Sequence, residues 1–290
     1  MSLTSESNLV GLIGSGIMHS LTPPMHEREA KEQGLLYLYR PIDLDVIDRP
    51  AEDIGELLRS GRDLGFTAFN ITYPCKQIVI PHLDELSLDA RRLGAVNTIL
   101  VRGGRLIGHN TDHSGFSWGL VNGLQGANLG RVVQLGSGGA GSAVAYALLG
   151  AGAQNLHISD ISAARAAELA EMLRALFPDR YIEAIGPDDL PRVVPEADGL
   201  VNTTPIGMHH HPGLPLDESL IRNALWVADV VYRPIDTELL GIAAERGCRV
   251  LDGGNMAVGQ AVDTFKLITG IAPDAARMRT HFLELIASGL

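Results

Sequence analysis

Short apolar runs alternate with helix-length stretches along the whole chain. Residues 9–13, 35–39, 66–71 and 95–101 read as strands, being short, apolar and bounded by polar or glycine positions. Between them, Thr22 followed by Pro23 predicts a helix start, with a capping hydroxyl and a proline in the first turn. Residues 50–64 predict a second helix, ended near Gly65. A new series begins at Arg131, with strands at 132–135, 155–159, 199–202, 226–230 and 249–251. Helices at 139–149, 162–177 and 236–246 separate them. In the tail, Met278, Phe282 and Leu285 recur at helical spacing and read as core anchors. Strand–helix alternation of this kind predicts an α/β protein with mostly parallel sheets.

Composition narrows the function. Hydrophobic residues make up 46% and charged residues 20%, enough for a normal core and against a disordered chain. The net charge of −11 disfavours nucleic acid and anionic membranes as partners, while leaving room for a small anion inside a locally positive pocket. No apolar run is long enough for a membrane helix, and Met1-Ser-Leu-Thr-Ser-Glu6 lacks the pattern of a secretory signal, so a cytoplasmic location is expected. Cys75 and Cys248 read as buried small hydrophobes in a reducing compartment. The consecutive His209, His210 and His211 read as a solvated loop, and no metal site is expected.

The strongest local signal runs from Val132 to Ala143 and contains G-x-G-x-x-G as Gly136, Gly138 and Gly141. It follows a predicted strand and opens a predicted helix, the context this pattern needs. Gly136 permits the tight turn, Gly138 lets backbone approach a pyrophosphate, and Gly141 allows close helix–strand contact. Ser137, Gly139 and Ala140 complete the turn, whose helix N-terminus presents N–H donors to phosphates. Asp160 ends the next strand, 24 residues after Gly136. A carboxylate there accepts bonds from adenosine ribose hydroxyls and repels a 2′-phosphate, which favours NAD over NADP; a simple helix cap is its other reading. Arg165 leaves NADP as the weaker alternative, since a guanidinium either holds a phosphate or stacks on adenine.

Ahead of this turn, polar segments stand at the ends of predicted strands. They offer hydroxyls (Ser20, Thr22, Thr72), amides (Asn70, Asn97), an ammonium (Lys76) and a carboxylate (Asp112). In a parallel sheet such strand ends converge on one edge, and this set suits a small polyhydroxylated carboxylate. Taken singly, each has a plainer reading as a cap, turn former or surface charge.

These segments carry a family resemblance. Gly14-x-x-x-x-x-Ser20-x-Thr22-Pro-x-x-His26, Asn70-Ile-Thr-Tyr-Pro-Cys-Lys76, Gly94-Ala-Val-Asn-Thr98 and Asn110-Thr-Asp112 run in order through the first half. Asn202-Thr-Thr-Pro-Ile-Gly-Met208, Tyr232-Arg-Pro-x-x-Thr237 and Gly253-Gly-Asn-Met-x-x-x-Gln260 follow. Together they resemble the shikimate dehydrogenase family, and most of all its NAD-using quinate/shikimate dehydrogenase branch. The resemblance implies that Ser20 and Thr22 bind the substrate carboxylate and that Tyr232 closes that end. It implies that Asn70, Thr72, Asn97, Asp112 and Gln260 bind ring hydroxyls, with Lys76 and Asp112 the catalytic pair. Thr203, Val230, Gly253 and Met256 would line the nicotinamide. Two positions depart from the commoner family pattern. Thr22 stands where most members carry a second serine, which the resemblance links to acceptance of quinate as well as shikimate. Ser159-Asp160-Ile161 replaces the Asn-Arg-Thr of NADP-using members, where the arginine grips the 2′-phosphate.

The implied architecture is two α/β domains. Residues 1–112 with 253–290 would form the substrate domain, to which the C-terminal helices return, and residues 113–252 a Rossmann-type dinucleotide-binding domain. The implied reaction is hydride exchange with a small-molecule alcohol. Lys76 would take the hydroxyl proton as an amine or return it as an ammonium, and Asp112 would orient the hydroxyl. Monomer and homodimer stay open, as do a shikimate-only enzyme and, remotely, a non-catalytic dinucleotide sensor.

Overall fold

The first strand, β1 (Ser7–Gly14), is buried from Val10 to Gly14, as a strand flanked by neighbours on both edges and covered on both faces requires. The computed structural model describes residues 7–289. After β1 come α1 (Thr22–Glu32), β2 (Leu36–Asp43), α2 (Ile54–Asp63), β3 (Ala68–Ile71) and the short α3 (Cys75–Ile78). Then follow β4 (Glu85–Leu86), α4 (Leu88–Leu93), β5 (Thr98–Arg102) and β6 (Arg105–His109). Next are α5 (Asp112–Gly123), β7 (Arg131–Leu135), α6 (Gly139–Gly150), β8 (Asn155–Ser159), α7 (Ala163–Leu176) and β9 (Tyr181–Ile185). The chain continues with α8 (Leu190–Val193), β10 (Gly199–Asn202), β11 (Trp226–Asp229), α9 (Glu238–Glu245) and β12 (Arg249–Leu251). It finishes with α10 (Gly253–Thr269) and α11 (Ala275–Ala287).

Two compact units result. One takes in the chain up to Thr111 and again from Gln260; the other is Asp112–Gly259. Among the described residues each unit holds a six-stranded sheet. The second unit has the order β9-β8-β7-β10-β11-β12, all parallel. Counted within the unit this is 3-2-1-4-5-6, the doubly wound dinucleotide-binding order, whose switch point lies between β7 and β10.

The first sheet is mixed, with β4–β6 among its parallel pairings. Its order is β2-β1-β3-β5-β6-β4. The pairs β1–β2 and β1–β3 are parallel, but β5 runs antiparallel to both β3 and β6. For the β5–β6 pair the cause is local: Gly103 and Gly104, both at positive φ, turn the chain straight back from β5 into β6, and a two-residue hairpin can only join antiparallel strands. The strands expected from the apolar pattern do not include β4, β6 or β9. The expected strand 95–101 also begins later, at Thr98, with residues 95–97 forming its approach.

Thr22 is not the cap of α1, as expected, but its first residue. The Ser20 hydroxyl accepts from the Thr22 N–H at 3.3 Å in its place. Ser162, by contrast, caps α7 by accepting from Arg165 N–H. Met278, Phe282 and Leu285 are buried on α11, and Cys75 and Cys248 are buried free thiols. Among the described residues no helix is long and apolar enough to cross a membrane.

α11 is tied to α1 by a fork. Glu29 is buried, and its two oxygens accept from Arg277 Nε and Nη2, each at 2.7 Å. Asp274 N–H and Gln33 Nε2 add donors at 2.8 and 2.6 Å. Burial works to raise the Glu29 pKa, but these hydrogen bonds outweigh it and hold the carboxyl below its usual range. Removing the guanidinium strands a buried charge. Arg277→Ala should therefore cost roughly 3 kcal/mol of unfolding free energy in urea denaturation near neutral pH, with a smaller loss in acid, where Glu29 is neutral.

Candidate active site

In the first unit, the segment between β1 and α1 carries Ser20, and Thr22 opens α1, both half-buried. It is anchored from the end of β2: Asp43 accepts from Gly16 N–H at 3.1 Å and from Ile17 N–H at 2.7 Å. Both hydroxyl residues thus stand at the start of α1, where aligned peptide dipoles favour an anion.

Beside it, a web joins β3, α3 and the approach to β5. Asn70 is buried at β3, where its side chain is fully engaged: Nδ2 donates to Asn97 O at 3.0 Å and to Thr98 Oγ1 at 2.9 Å, while Tyr39 donates its phenol proton to Oδ1. Ile71 N–H also donates to Asn97 O, and Val96 N–H to Lys76 O, each at 2.8 Å. Asn97 accepts from Thr111 N–H at 2.8 Å and donates to Thr111 Oγ1 at 2.9 Å. Thr264 of α10 closes the web, 3.1 Å from Thr98 Oγ1 and 2.9 Å from Thr111 Oγ1. Asn70 and Asn97 therefore belong to one braced region, which Lys76 joins through its backbone carbonyl, while Thr72 is held by backbone bonds of its own, donating to Ile13 O and accepting from Cys75 N–H. The route is not the convergence of strand C-termini that a parallel sheet implies. Asn97 arrives from the start of β5, and it lies beside Asn70 because β5 is antiparallel. Gln260 stands half-buried on α10, one turn before Thr264.

In the second unit, Asp112 is buried and opens α5. The glycine turn joins β7 to α6. Gly136 has φ +95°, and a Cβ there would lie 2.9 Å from Thr203 Oγ1. At Gly141 a Cβ would fall 2.6 Å from Gly136 O, so both positions exclude a side chain. Gly138 and Gly139 face open space instead, with nothing within 4 Å of a Cβ. A turn closed behind by two tight glycines and bare in front at two more fits a pyrophosphate laid on the N-terminus of α6. Gln134 braces it from β7, donating to Gly136 O and Gly141 O, both at 2.9 Å. Thr203 does the same from just past β10, its hydroxyl donating to Leu135 O at 2.7 Å and Gly136 O at 2.9 Å.

Asp160 is buried beyond the end of β8. Its Oδ2 accepts from Ser137 N–H at 2.8 Å and Ser137 Oγ at 2.7 Å. Its Oδ1 accepts from Ser162 N–H at 2.8 Å and Arg165 Nη2 at 3.1 Å. Burial works to raise its pKa, but these bonds outweigh it and keep the carboxyl below its ordinary value, ionised at neutral pH. Asp160 is therefore not the cap of α7, a place taken by Ser162; it ties the Ser162 N–H ahead of that helix to Ser137 of the glycine turn. Gly253 is pressed against the backbone of Val230 and Val231, where a Cβ would sit 2.4 Å from both carbonyl oxygens. Met256 follows it on α10, half-buried like Val230 and Tyr232. Burial raises the Tyr232 phenol pKa against the opposing charge of Arg233.

Sequence reading assigned nothing to Tyr39, Asp43, Thr98, Thr111, Gln134, Asp229 or Thr264. One signal was present: Gln134 and Asp229 are lone polar residues inside apolar strand runs, and such groups must find partners when buried. Among the described residues no cluster of three or more His, Cys, Asp or Glu side chains could hold a metal.

Residues 12–99 match the family model of the shikimate dehydrogenase substrate binding domain. A shikimate dehydrogenase (NADP(+)) of Pseudarthrobacter chlorophenolicus is 61% identical over 288 residues, covering 99% of this chain and 98% of the relative. A quinate/shikimate dehydrogenase (NAD(+)) of Corynebacterium glutamicum is 46% identical over 282 residues, covering 97% and 100%. Among solved structures, quinate dehydrogenase from Corynebacterium glutamicum in complex with NAD superposes with a TM-score of 0.92 at 46% identity, covering 96% of this chain and 99% of that one.

Asp229 supplies a pH test of the site's frame. Burial raises its pKa from 3.8 to about 6, although Val231, Thr237 and Asn202 all donate to it. The folded state therefore binds this proton more tightly than the unfolded chain does. Its contribution to stability is greatest below the unfolded value and declines until the pH passes the folded one. Measured against Asp229→Asn, which cannot titrate, the wild-type chain should lose roughly 3 kcal/mol of unfolding free energy between about pH 4 and pH 7.

Proposed function

The chain belongs to the shikimate dehydrogenase family, and from that premise we propose that it is an NAD-dependent quinate/shikimate dehydrogenase. As a family member it is an NAD(P)-dependent oxidoreductase acting on a secondary alcohol. The finer reading is reversible oxidation of quinate to 3-dehydroquinate and of shikimate to 3-dehydroshikimate. The observation that carries the cofactor choice is the ionised, buried Asp160 beside the glycine turn. A carboxylate at this place accepts from ribose hydroxyls and repels a phosphate ester.

In this reading the first unit is the substrate domain and Asp112–Gly259 the dinucleotide domain. Ser20 and Thr22 hold the substrate carboxylate, supported by their place at the start of α1. Thr72, Asn97, Asp112 and Gln260 bind the ring hydroxyls, and Tyr232 closes the carboxylate end. Asn70 serves through its hold on Asn97, since its own donors are engaged. The bound nicotinamide supplies the hydride chemistry. Lys76 bonds to the reacting oxygen and manages its proton: as an amine it accepts from the hydroxyl and takes the proton in oxidation, and as an ammonium it donates to the carbonyl oxygen and returns it in reduction. Asp112 fixes the direction of that hydroxyl. Ser137, Gly138, Gly139 and Ala140 receive the phosphates, and Thr203, Val230, Gly253 and Met256 flank the nicotinamide.

A second reading is a shikimate-specific enzyme using NADP. It is favoured by Arg165, whose side chain is 57% exposed beside Asp160, and by the NADP(+) named for the relative at 61% identity. A matrix of kcat/KM for quinate and shikimate with each oxidised cofactor separates the two. In that matrix, Asp160→Ala should weaken NAD use about tenfold and relax discrimination against NADP, and an unchanged profile would reject the assignment. Lys76→Ala should lower kcat about 10²- to 10⁴-fold while substrate Kd, measured by calorimetry, moves far less.

A further inference from the structure

Two loops leave the dinucleotide unit's sheet side by side, residues 203–207 after β10 and residues 230–237 after β11. One buried pair joins them. Asp229, 2% exposed, accepts from Val231 N–H at 3.0 Å and Thr237 Oγ1 at 2.8 Å, both in the second loop. It also accepts from Asn202 Nδ2 at 2.9 Å. Asn202 is fully buried and carries the link into the first loop. Its Oδ1 accepts from Thr204 N–H at 3.0 Å and Thr204 Oγ1 at 2.7 Å, and its Nδ2 donates to Ile206 O at 3.0 Å. Gly207, at φ +106°, then rests on Thr237: a Cβ there would lie 3.5 Å from Thr237 Cγ2. The two loops are thus set against each other by side chains that no ligand can reach.

We infer that Asp229 is a positioning residue for dinucleotide binding: through Asn202 and Thr237 it sets both loops at once, without meeting the ligand. The inference rests on the proposed role of this unit, in which Thr203 and Val230 border the nicotinamide. A buried carboxylate is a poor way to gain stability, because its desolvation is only partly offset by its bonds. What it provides is a fixed direction for several donors from separate segments, which an apolar side chain of equal volume would leave unmatched.

The test is a fluorescence titration of NADH and NADPH into the full chain, with melting temperatures alongside. Asn202→Ala and Thr237→Val each break one arm of the pair, and each should raise the Kd of the preferred cofactor about tenfold. Because both arms act through the same carboxylate, the double variant should stay near tenfold instead of reaching about a hundredfold. Thr237→Ser keeps the hydroxyl and should bind as wild type does. Wild-type Kd in both single variants, with stability alone reduced, overturns the inference, and so does a multiplicative double variant. If Asn202→Ala fails to fold, Thr237→Val against Thr237→Ser decides, and equal Kd values overturn it. Failure of the wild-type chain to bind either cofactor would instead remove the dinucleotide reading, and the inference with it.

Discussion

A strand that ends inside a protein hands its loop a set of peptide N–H groups with no ladder partner, and burying them unpaired is costly. This chain meets that constraint with polar side chains placed at strand ends. Asp43, the last residue of β2, takes the N–H groups of Gly16 and Ile17. Asp160, just past β8, takes those of Ser137 and Ser162. Asp229, the last residue of β11, takes that of Val231. Each carboxylate turns a segment that would otherwise wander into one with a defined path. The segments so defined are the ones to which substrate and cofactor contacts are assigned.

The same device works with different chemistry in the two units. In the first, the bracing is largely neutral: Asn70, Asn97, Thr98, Thr111 and Thr264 exchange bonds in a closed web, with Tyr39 as an outer support. Neutral groups of this kind can be buried without leaving a net charge. In the second, the bracing is charged at Asp160 and Asp229, and the two carboxylates differ. Four donors keep Asp160 easily ionised, whereas burial dominates at Asp229 and raises its pKa to about 6. Asp160 therefore keeps its charge well below neutral pH, whereas Asp229 gains its own only as the pH approaches neutrality.

Substrate and cofactor preference are a finer matter than architecture. Relatives at 61% and 46% identity, each spanning nearly all of this chain, carry different cofactors and substrates in their names. A shared scaffold therefore accommodates both, and the choice is left to local chemistry on it. In this chain Asp160 and Arg165 share one hydrogen bond, and Thr22 stands at the first turn of α1.

Much of this was readable along the chain. The second unit was the most legible, because parallel strands buried on both faces form continuous apolar runs: β8 and β10 fall at their expected limits, and the glycine turn lies where G-x-G-x-x-G follows a strand. Motif chemistry likewise marked Asn70, Lys76, Asn97 and Asp112 before any fold was in view. Three-dimensional packing decided the rest. The hairpin sets β5 against β6, but it is the separate antiparallel pairing of β5 with β3 that brings Asn97 beside Asn70. Tyr39, Thr98 and Thr264 gain their roles only through partners distant in sequence, and local pattern carries no record of such partners. A residue's chemistry is inherent in its side chain; whether that chemistry is engaged within the protein or turned toward a ligand depends on neighbours that only the folded chain supplies.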